Sequence, residues 1–319
     1  MNIYIVCPDA ATGGTECLHQ LGSSLELSGA NVSIFYHNES PEKKARNAFK
    51  NFGLKSIERI PDHEKNLIIF PENITKFTLN FPKSQKVIYW LSILNFYPIK
   101  GQSRVRDFIS KYNIRRKRLN INELKDFIHL GQSYFSKLFL DKHKMKSMII
   151  GDHLDENFLL NAEKAITLNY KKLNQVCYNP AKGKKYTDYI IEKYPSLKFV
   201  PIINMTREQV FNTLLESKMY LDLGLHPGRD KIPREAALLG CCIATSKFGS
   251  AKNNIDVPIP DNYKFNVDKE SLNNIPILIK NVFDNYEKEI INFSKYREII
   301  KNEKQEFDKK ISLWINNIG

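Results

Sequence analysis

Residues 220–251 read YLDLGLHPGRDKIPREAALLGCCIATSKFGSA. The stretch opens as a short apolar strand and runs into a loop holding His226, Pro227, Gly228, Arg229 and Asp230. A helix carrying Arg234 and Glu235 follows, then a second strand over 241–245 and a glycine loop over 247–251. Strand–loop–helix–strand–loop with basic residues and glycines in both loops is how α/β folds build a site for a phosphorylated ligand.

The same alternation extends outward in both directions. NIYIVC (2–7) is a β-branched apolar run of the kind buried in a parallel sheet. The loop PDAATGGTE follows, with Thr15 expected to cap a helix from Glu16 to about Ser28, and NVSIFY (31–36) is the next strand. This is a βαβ opening, but GxGxxG is absent, which argues against a dinucleotide fingerprint. A helix is expected over 41–52, strands over 66–70, 86–91 and 128–131, a helix capped by Ser133, and a strand over 148–150. Glu72, Asn73, Ser92 and Asn95 then fall at the carboxyl edge of the sheet, where they either meet a substrate or cap loops; Trp90 is expected in the core and Tyr89 at its rim. The second half restarts the pattern with strands over 174–179 and 197–202 and a helix over 206–217 capped by Thr206. Residues 270–316 are helical, with a break expected near Phe293.

Two α/β halves are therefore expected: 1–160, then 170–293, with 294–319 a final helix packing back on the first half. Glycine or basic loops follow the first strands of each half, and two such domains facing each other would bring both sets to one ligand.

The chain has 319 residues, 42% hydrophobic and 26% charged, which is the composition of a globular protein with a real core. No apolar run reaches the ~20 residues of a membrane span, and the first residues have no basic leader, so a cytoplasmic location is expected. The five cysteines, Cys7, Cys17, Cys177, Cys241 and Cys242, include no CxxC and read as reduced core thiols. A net charge of +13 favours anionic partners: nucleic acid, an anionic membrane surface or a phosphorylated substrate. Residues 100–118 concentrate Lys and Arg around Tyr112 and Phe108, which fits either membrane or polyanion contact or a solvated face.

GGTE at 13–16 ahead of an amphipathic helix, with PREAALLGCCIATSKFGSA at 233–251, resembles the GT-B glycosyltransferases, which have two facing Rossmann-like domains. The chain is similar in particular to bacterial family-4-like transferases of polysaccharide gene clusters. The layout covers most of the chain; the motif covers only these two stretches. The resemblance implies a nucleotide-diphosphate sugar as co-substrate, with UDP the expected nucleotide, and a lipid-linked or growing surface glycan as acceptor. Glu235 stands where such enzymes bind the ribose hydroxyls, and a carboxylate suits a vicinal diol. Lys182 and Lys185 stand at the diphosphate, Gly13 and Gly14 at the phosphates from the first domain, and Gly249 and Ser250 near the donor sugar. The family's first acid would fall at Pro227 and is missing, so His226, Arg229 or Lys231 is expected to take over part of its role. Asp9, Glu16 and His226 are the catalytic candidates. Each also has a plain structural reading: Asp9 as a turn residue, Glu16 as a cap of its own helix, His226 as a satisfied buried histidine, Glu235 as a first-turn carboxylate. There is no DxD motif, and the resemblance implies transfer without a metal or other cofactor. A nucleotide-sugar epimerase of the same layout, a basic nucleic-acid-binding protein and a degenerate transferase remain as alternatives.

Overall fold

The computed structural model describes residues 1–96, 117–168 and 170–318. They form two compact units: Met1–Asp152 with Gln305–Gly319, and His153–Lys304.

Unit 1 is built on six parallel strands: β1 (Asn2–Pro8), β2 (Asn31–His37), β3 (Asn66–Pro71), β4 (Gln85–Trp90), β5 (Ile128–Gly131) and β6 (Ser147–Ile149), in the order β2-β1-β3-β4-β5-β6. Both faces of the sheet are covered. Ile3, Ile5, Leu67, Ile69, Val87 and Tyr89 enter one apolar cluster, while Val6, Ile68, Phe70, Ile88 and Trp90 enter another. The period of two along each strand divides the apolar run between the two faces, which is why these strands lack a polar side. Helix α1 (Gly13–Leu27) lays Cys17, Leu18, Leu21 and Leu25 on the first cluster. The later helix α2 (Tyr134–Lys142) is capped by Ser133, as the sequence indicates.

Unit 2 has five parallel strands: β7 (Leu173–Tyr178), β8 (Phe199–Pro201), β9 (Ser217–Asp222), β10 (Cys242–Ser246) and β11 (Lys264–Phe265), in the order β11-β10-β9-β7-β8. Its helices are α3 (Glu156–Thr167), α4 (Lys184–Lys193), α5 (Arg207–Glu216), α6 (Lys231–Leu238), α7 (Lys269–Asp284) and α8 (Ser294–Lys301). The chain's first strand in each unit, β1 and β7, lies between two neighbours, so the connections leave it in opposite directions. In open α/β sheets the crevice outside the carboxyl ends at such a reversal is where ligands bind.

Several expectations are corrected. Helix α1 begins at Gly13 and is capped by Thr12, with Thr15 as the reciprocal partner of the capping box, so Gly13 and Gly14 form its first turn rather than a loop. Tyr89 is fully buried, and its hydroxyl donates to the carbonyls of Ile150 and Gly151 at 2.8 and 2.7 Å, so it belongs to the core and not to the rim. The helix expected over 41–52 is only Lys44–Ala48 and a 3-10 turn over Lys50–Phe52. Helix breaks fall at Asn285 and Asn302 as well as near Phe293, because asparagine side chains compete for backbone partners.

The boundaries drawn at 160–170 and 293 also move. Helix α3 belongs to unit 2, where Ala162 and Ala165 are core residues, and so does α8, through Tyr296 and Ile300. The last helix, α9 (Glu303–Ile318), starts in unit 2; from Gln305 onward it counts with unit 1, where Phe307, Ile311 and Trp314 join the core at helical spacing. The basic stretch 100–118 lies, up to residue 116, outside the described residues. No described helix is long and apolar enough to cross a membrane.

Candidate active site

Three loops at the carboxyl edge of the unit 2 sheet are locked to one another. Gly183, after β7, has φ +62°, and a Cβ there would lie 2.5 Å from the Leu223 carbonyl carbon. Gly224, after β9, would meet the Lys182 Cβ at 2.6 Å in the same way. Only bare backbone allows these two loops to touch. Further along, Gly249 after β10 forms an isolated parallel bridge with His226, and the Ser250 N–H donates to the His226 carbonyl at 2.9 Å. The Ser250 hydroxyl donates to the Gly228 carbonyl at 2.6 Å. Gly249 and Ser250, which the resemblance placed near the donor sugar, thus hold the HPGRD loop in shape, and both the backbone N–H and the hydroxyl of Ser250 are used in doing so.

Inside that frame sits a charged cluster. The Lys182 ammonium lies 2.7 Å from Asp230 Oδ2 and 4.0 Å from Asp222 Oδ2. His226, buried, places Nδ1 2.8 Å from Asp230 Oδ2 and Nε2 3.6 Å from Asp222 Oδ1. Asp222 is further held by the N–H of Gly224 at 3.0 Å and the Tyr220 hydroxyl at 3.3 Å. Burial alone would lower the His226 pKa, but the contact with Asp230 and the charges of both aspartates outweigh it, and the imidazole is raised above its usual range. Burial would likewise raise Asp230, yet His226 and Lys182 hold it below the ordinary carboxylate value. The cluster therefore sets two basic side chains, Lys182 and His226, against two carboxylates.

Asp222, His226 and Asp230 offer ligand atoms within 4.8 Å of one another, a spacing that could hold a divalent ion. Lys182 lies 2.7 and 4.0 Å from the same two carboxylates. Lys182 is accordingly a partner of Asp230 rather than an unengaged phosphate ligand. Arg229 is also engaged: it pairs with Glu303 Oε1, while Arg234, itself buried, holds Glu303 Oε2 at 2.6 Å. Arg229 thus ties the HPGRD loop to the start of α9, a role invisible in the order of the chain because Glu303 is 74 positions away.

What faces outward is different. Lys184 and Lys185 form the first turn of α4, whose N-cap, Gly183, offers no side chain to the first-turn N–H groups. Lys184 pairs with Asp188 at 2.6 Å, and Lys185 is exposed, 4.7 Å over the Tyr186 ring. Two lysines at the positive end of a helix dipole repel it unless an anion is present. Lys231 opens α6 as its first residue. Glu235 lies on α6 and is only 2% exposed. Its Oε1 accepts from Arg207 Nη2 of α5 at 2.7 Å, and its Oε2, also buried, has no partner. Arg207, Asp222, Gly183 and Gly224 were not singled out in the sequence, and Asp230 only as one residue of the loop; the aspartates and glycines at strand ends were the available signal.

The unit 1 candidates lie at the carboxyl edge of their own sheet. Asp9 accepts from the Ala45 N–H at 2.8 Å with one oxygen and from the Ser40 N–H and hydroxyl with the other. Burial would raise its pKa, but these hydrogen bonds hold it below the ordinary value, which makes it a weak base and a firm anchor for the loop after β2. Glu16 is half-buried in the first turn of α1. Neither Gly13 nor Gly14 has a left-handed φ, and a Cβ on Gly13 would meet nothing within 4 Å. The fold does not need glycine there, although glycine in a helix costs roughly 0.5–1 kcal/mol relative to alanine.

No family model matches the sequence, and no curated protein matches it. Solved structures do match. HepE of Anabaena, in a complex with UDP-glucose, is 13% identical, with a TM-score of 0.64 over 99% of this chain and 100% of that one. A glycosyltransferase from Rickettsia africae is 12% identical, with a TM-score of 0.63 over 99% and 97% of the two chains. Sucrose-phosphate synthase of Thermosynechococcus elongatus is 12% identical, with a TM-score of 0.60 over 100% and 98%. At these identities the likeness is one of fold: the chain has the GT-B fold of these glycosyltransferases, two parallel α/β sheets of six and five strands.

Proposed function

We propose that the protein transfers a sugar, in the hexosyl class, from a nucleotide diphosphate, with UDP the first choice of nucleotide, to a lipid-linked or growing surface glycan. The observation that carries this reading is the Glu235 carboxylate. A buried oxygen without a partner costs about 1–3 kcal/mol and is tolerated where a ligand completes it. A vicinal diol, such as that of a ribose, supplies the missing donors, and Arg207 keeps the carboxylate oriented.

Glycosyl transfer leaves negative charge on the departing diphosphate. In the proposed mechanism that charge is met without a metal, by Lys185, Lys184 and the first-turn N–H groups of α4. Gly13 and Gly14 leave the first N–H groups of α1 open to an anion in the same sense. His226 and Lys182 act from behind, by holding Asp230 and so the shape of the HPGRD loop. Bound glycosyltransferase neighbours of the same fold include HepE of Anabaena with UDP and with UDP-glucose, which supports the choice of nucleotide. A bacterial source, polysaccharide biosynthesis and work at the inner face of the cell membrane complete the proposal, resting on the family resemblance and the +13 charge.

Calorimetry with UDP, GDP and their sugars tests it. UDP is expected to bind, and Glu235→Ala is expected to weaken it about tenfold to a hundredfold, the equivalent of about 1.4–2.7 kcal/mol. Absence of binding by every nucleoside diphosphate would sink the reading. Product analysis without an acceptor separates transfer from epimerisation, because an epimerase converts the donor alone.

A further inference from the structure

Unit 1 holds a second feature that nucleotide chemistry does not use. Between β2 and β3 the chain passes to the α1 side of the sheet, where Phe49 and Phe52 pack on His19 with ring centroids 4.9 and 5.9 Å away. It then rounds the sheet edge, where Ile57 N–H donates to the Ile34 carbonyl at 3.0 Å, and crosses to β3 without forming a helix on the opposite face. A βαβ crossover normally covers that face with a helix. Among the described residues no helix covers the face at Phe35, and a pocket of about 700 Å³ lies there, between segment 58–62 and the 3-10 helix Glu72–Asn80.

The pocket wall continues the core. Phe35, Ile60, Phe77 and Phe81 line it, and all four pack with the apolar cluster on that face. Phe77 is fixed by Phe35, stacked at 5.8 Å, and by Phe81, edge-on at 5.3 Å. Asp62 already accepts from the N–H groups of Lys83 and Ser84 and from the Ser84 hydroxyl. Glu58 and Arg59 are exposed at the rim and opposite in sign, and Asn80 is exposed beside them. No lining residue has a buried polar atom lacking a partner. Ligand pockets run from about 300 to 1,000 Å³ and use a few convergent polar groups to orient polar ligands. This one has the volume and lacks the convergent groups, so it fits a ligand part that makes no directional bonds.

We infer that this pocket of unit 1 binds the hydrocarbon chain of a lipid-like molecule, with the head group outside among Glu58, Arg59 and Asn80. The site lies wholly in unit 1 and does not rest on the transfer reading, which is carried by Glu235 of unit 2.

The test is displacement of the fluorescent probe 1-anilinonaphthalene-8-sulfonate from the full chain by hexanol, octanol, decanol and dodecanol. Affinity is expected to rise about fourfold per added methylene until the pocket is full. The dodecyl carboxylate and the dodecyl trimethylammonium are expected to compete as dodecanol does. Phe77→Trp and the rim change Asn80→Trp are each expected to weaken dodecanol at least tenfold. Asn80 is exposed, so its replacement leaves the fold intact, and an unchanged melting curve on the same samples verifies that. Affinity that ignores chain length, follows head-group charge alone, or survives both tryptophans overturns the inference. So does light scattering that finds a dimer split by Asn80→Trp, since the pocket would then belong to a contact between copies of the chain.

Discussion

A Cβ on Gly249 would lie 1.9 Å from the His226 carbonyl oxygen. The two residues bridge the loops after β9 and β10, and Gly249 adopts φ +63° and ψ −135°, a region closed to side chains. The position of the HPGRD loop, and with it of Asp230 and Arg229, depends on this contact. Gly249→Ala is expected to destabilise unit 2 by at least about 2 kcal/mol and to lower its melting temperature by roughly 4–8 °C. It is also expected to weaken nucleotide binding, because the loop cannot keep its course. Thermal melts and UDP calorimetry on the variant check both; an unchanged melt would show that the bridge is dispensable.

The Lys182–Asp230–His226–Asp222 cluster gives the loop a pH window. The His226 pKa is raised in the fold, so its contribution is full below the ordinary histidine value of 6.5 and is lost as pH rises through the higher native value. Asp230 is lowered, so its contribution is full above the ordinary value of 3.8 and is lost as pH falls through the lower native value. Hydrogen exchange at the Ser250 N–H is expected to be slowest, after correction for intrinsic rates, between those two ordinary values. His226→Asn is expected to remove the alkaline limb. Protection that does not change from neutral to alkaline pH would contradict the ion-pair account.

Glu72, in unit 1, titrates in the sense opposite to Asp230. It is fully buried at the end of β3, and burial raises its pKa to about 7, against the pull of N–H groups, including that of Leu91 at 3.0 Å, and the charge of Arg118. A raised carboxyl pKa favours the neutral form in the fold. Its stabilisation is therefore full below the ordinary value of 4.5 and is lost as pH rises through about 7. Glu72→Gln is expected to flatten this dependence and to leave unit 1 more stable than the parent above pH 7, by up to about 3 kcal/mol. Urea melts of both proteins at several pH values measure it.

The Glu303 carboxylate is shared between Arg229 and Arg234, and both Arg234 and Glu303 are buried. Removing Glu303 leaves the buried Arg234 guanidinium without its carboxylate, and an uncompensated buried charge typically costs about 3–5 kcal/mol. Glu303→Leu is expected to lose that amount, and the double change Glu303→Leu with Arg234→Met to recover most of it. Denaturant unfolding of the single and double variants forms the cycle; additive losses would mean that the pair is not coupled.

The alternation of buried strands and capped helices is local information, and it was legible in particular residues. The β-branched runs at 2–7 and 66–70 indicate strands covered on both faces, and Ser133 and Thr206 both cap the helices expected of them. Where the reading slipped, the competing choices were also local: Thr12 and Thr15 are equally good caps, and only the capping box decided for Thr12.

The sequence alone therefore determined the two α/β halves, the loops that carry the glycines and lysines, and Glu235 as a residue worth testing. It did not determine which charges are committed. Lys182 meets Asp230 across 48 positions, Arg229 meets Glu303 across 74, and Asp9 reaches Ser40 and Ala45 across 31 and 36. Such pairings depend on which strands become neighbours, and the sheet order, not the chain order, sets that. The pocket beside Phe35 is likewise a property of how one connection crosses the sheet; no pattern within residues 38–65 announces it. Local propensity writes the elements, and the packing of elements distant in sequence decides which polar groups remain for a ligand.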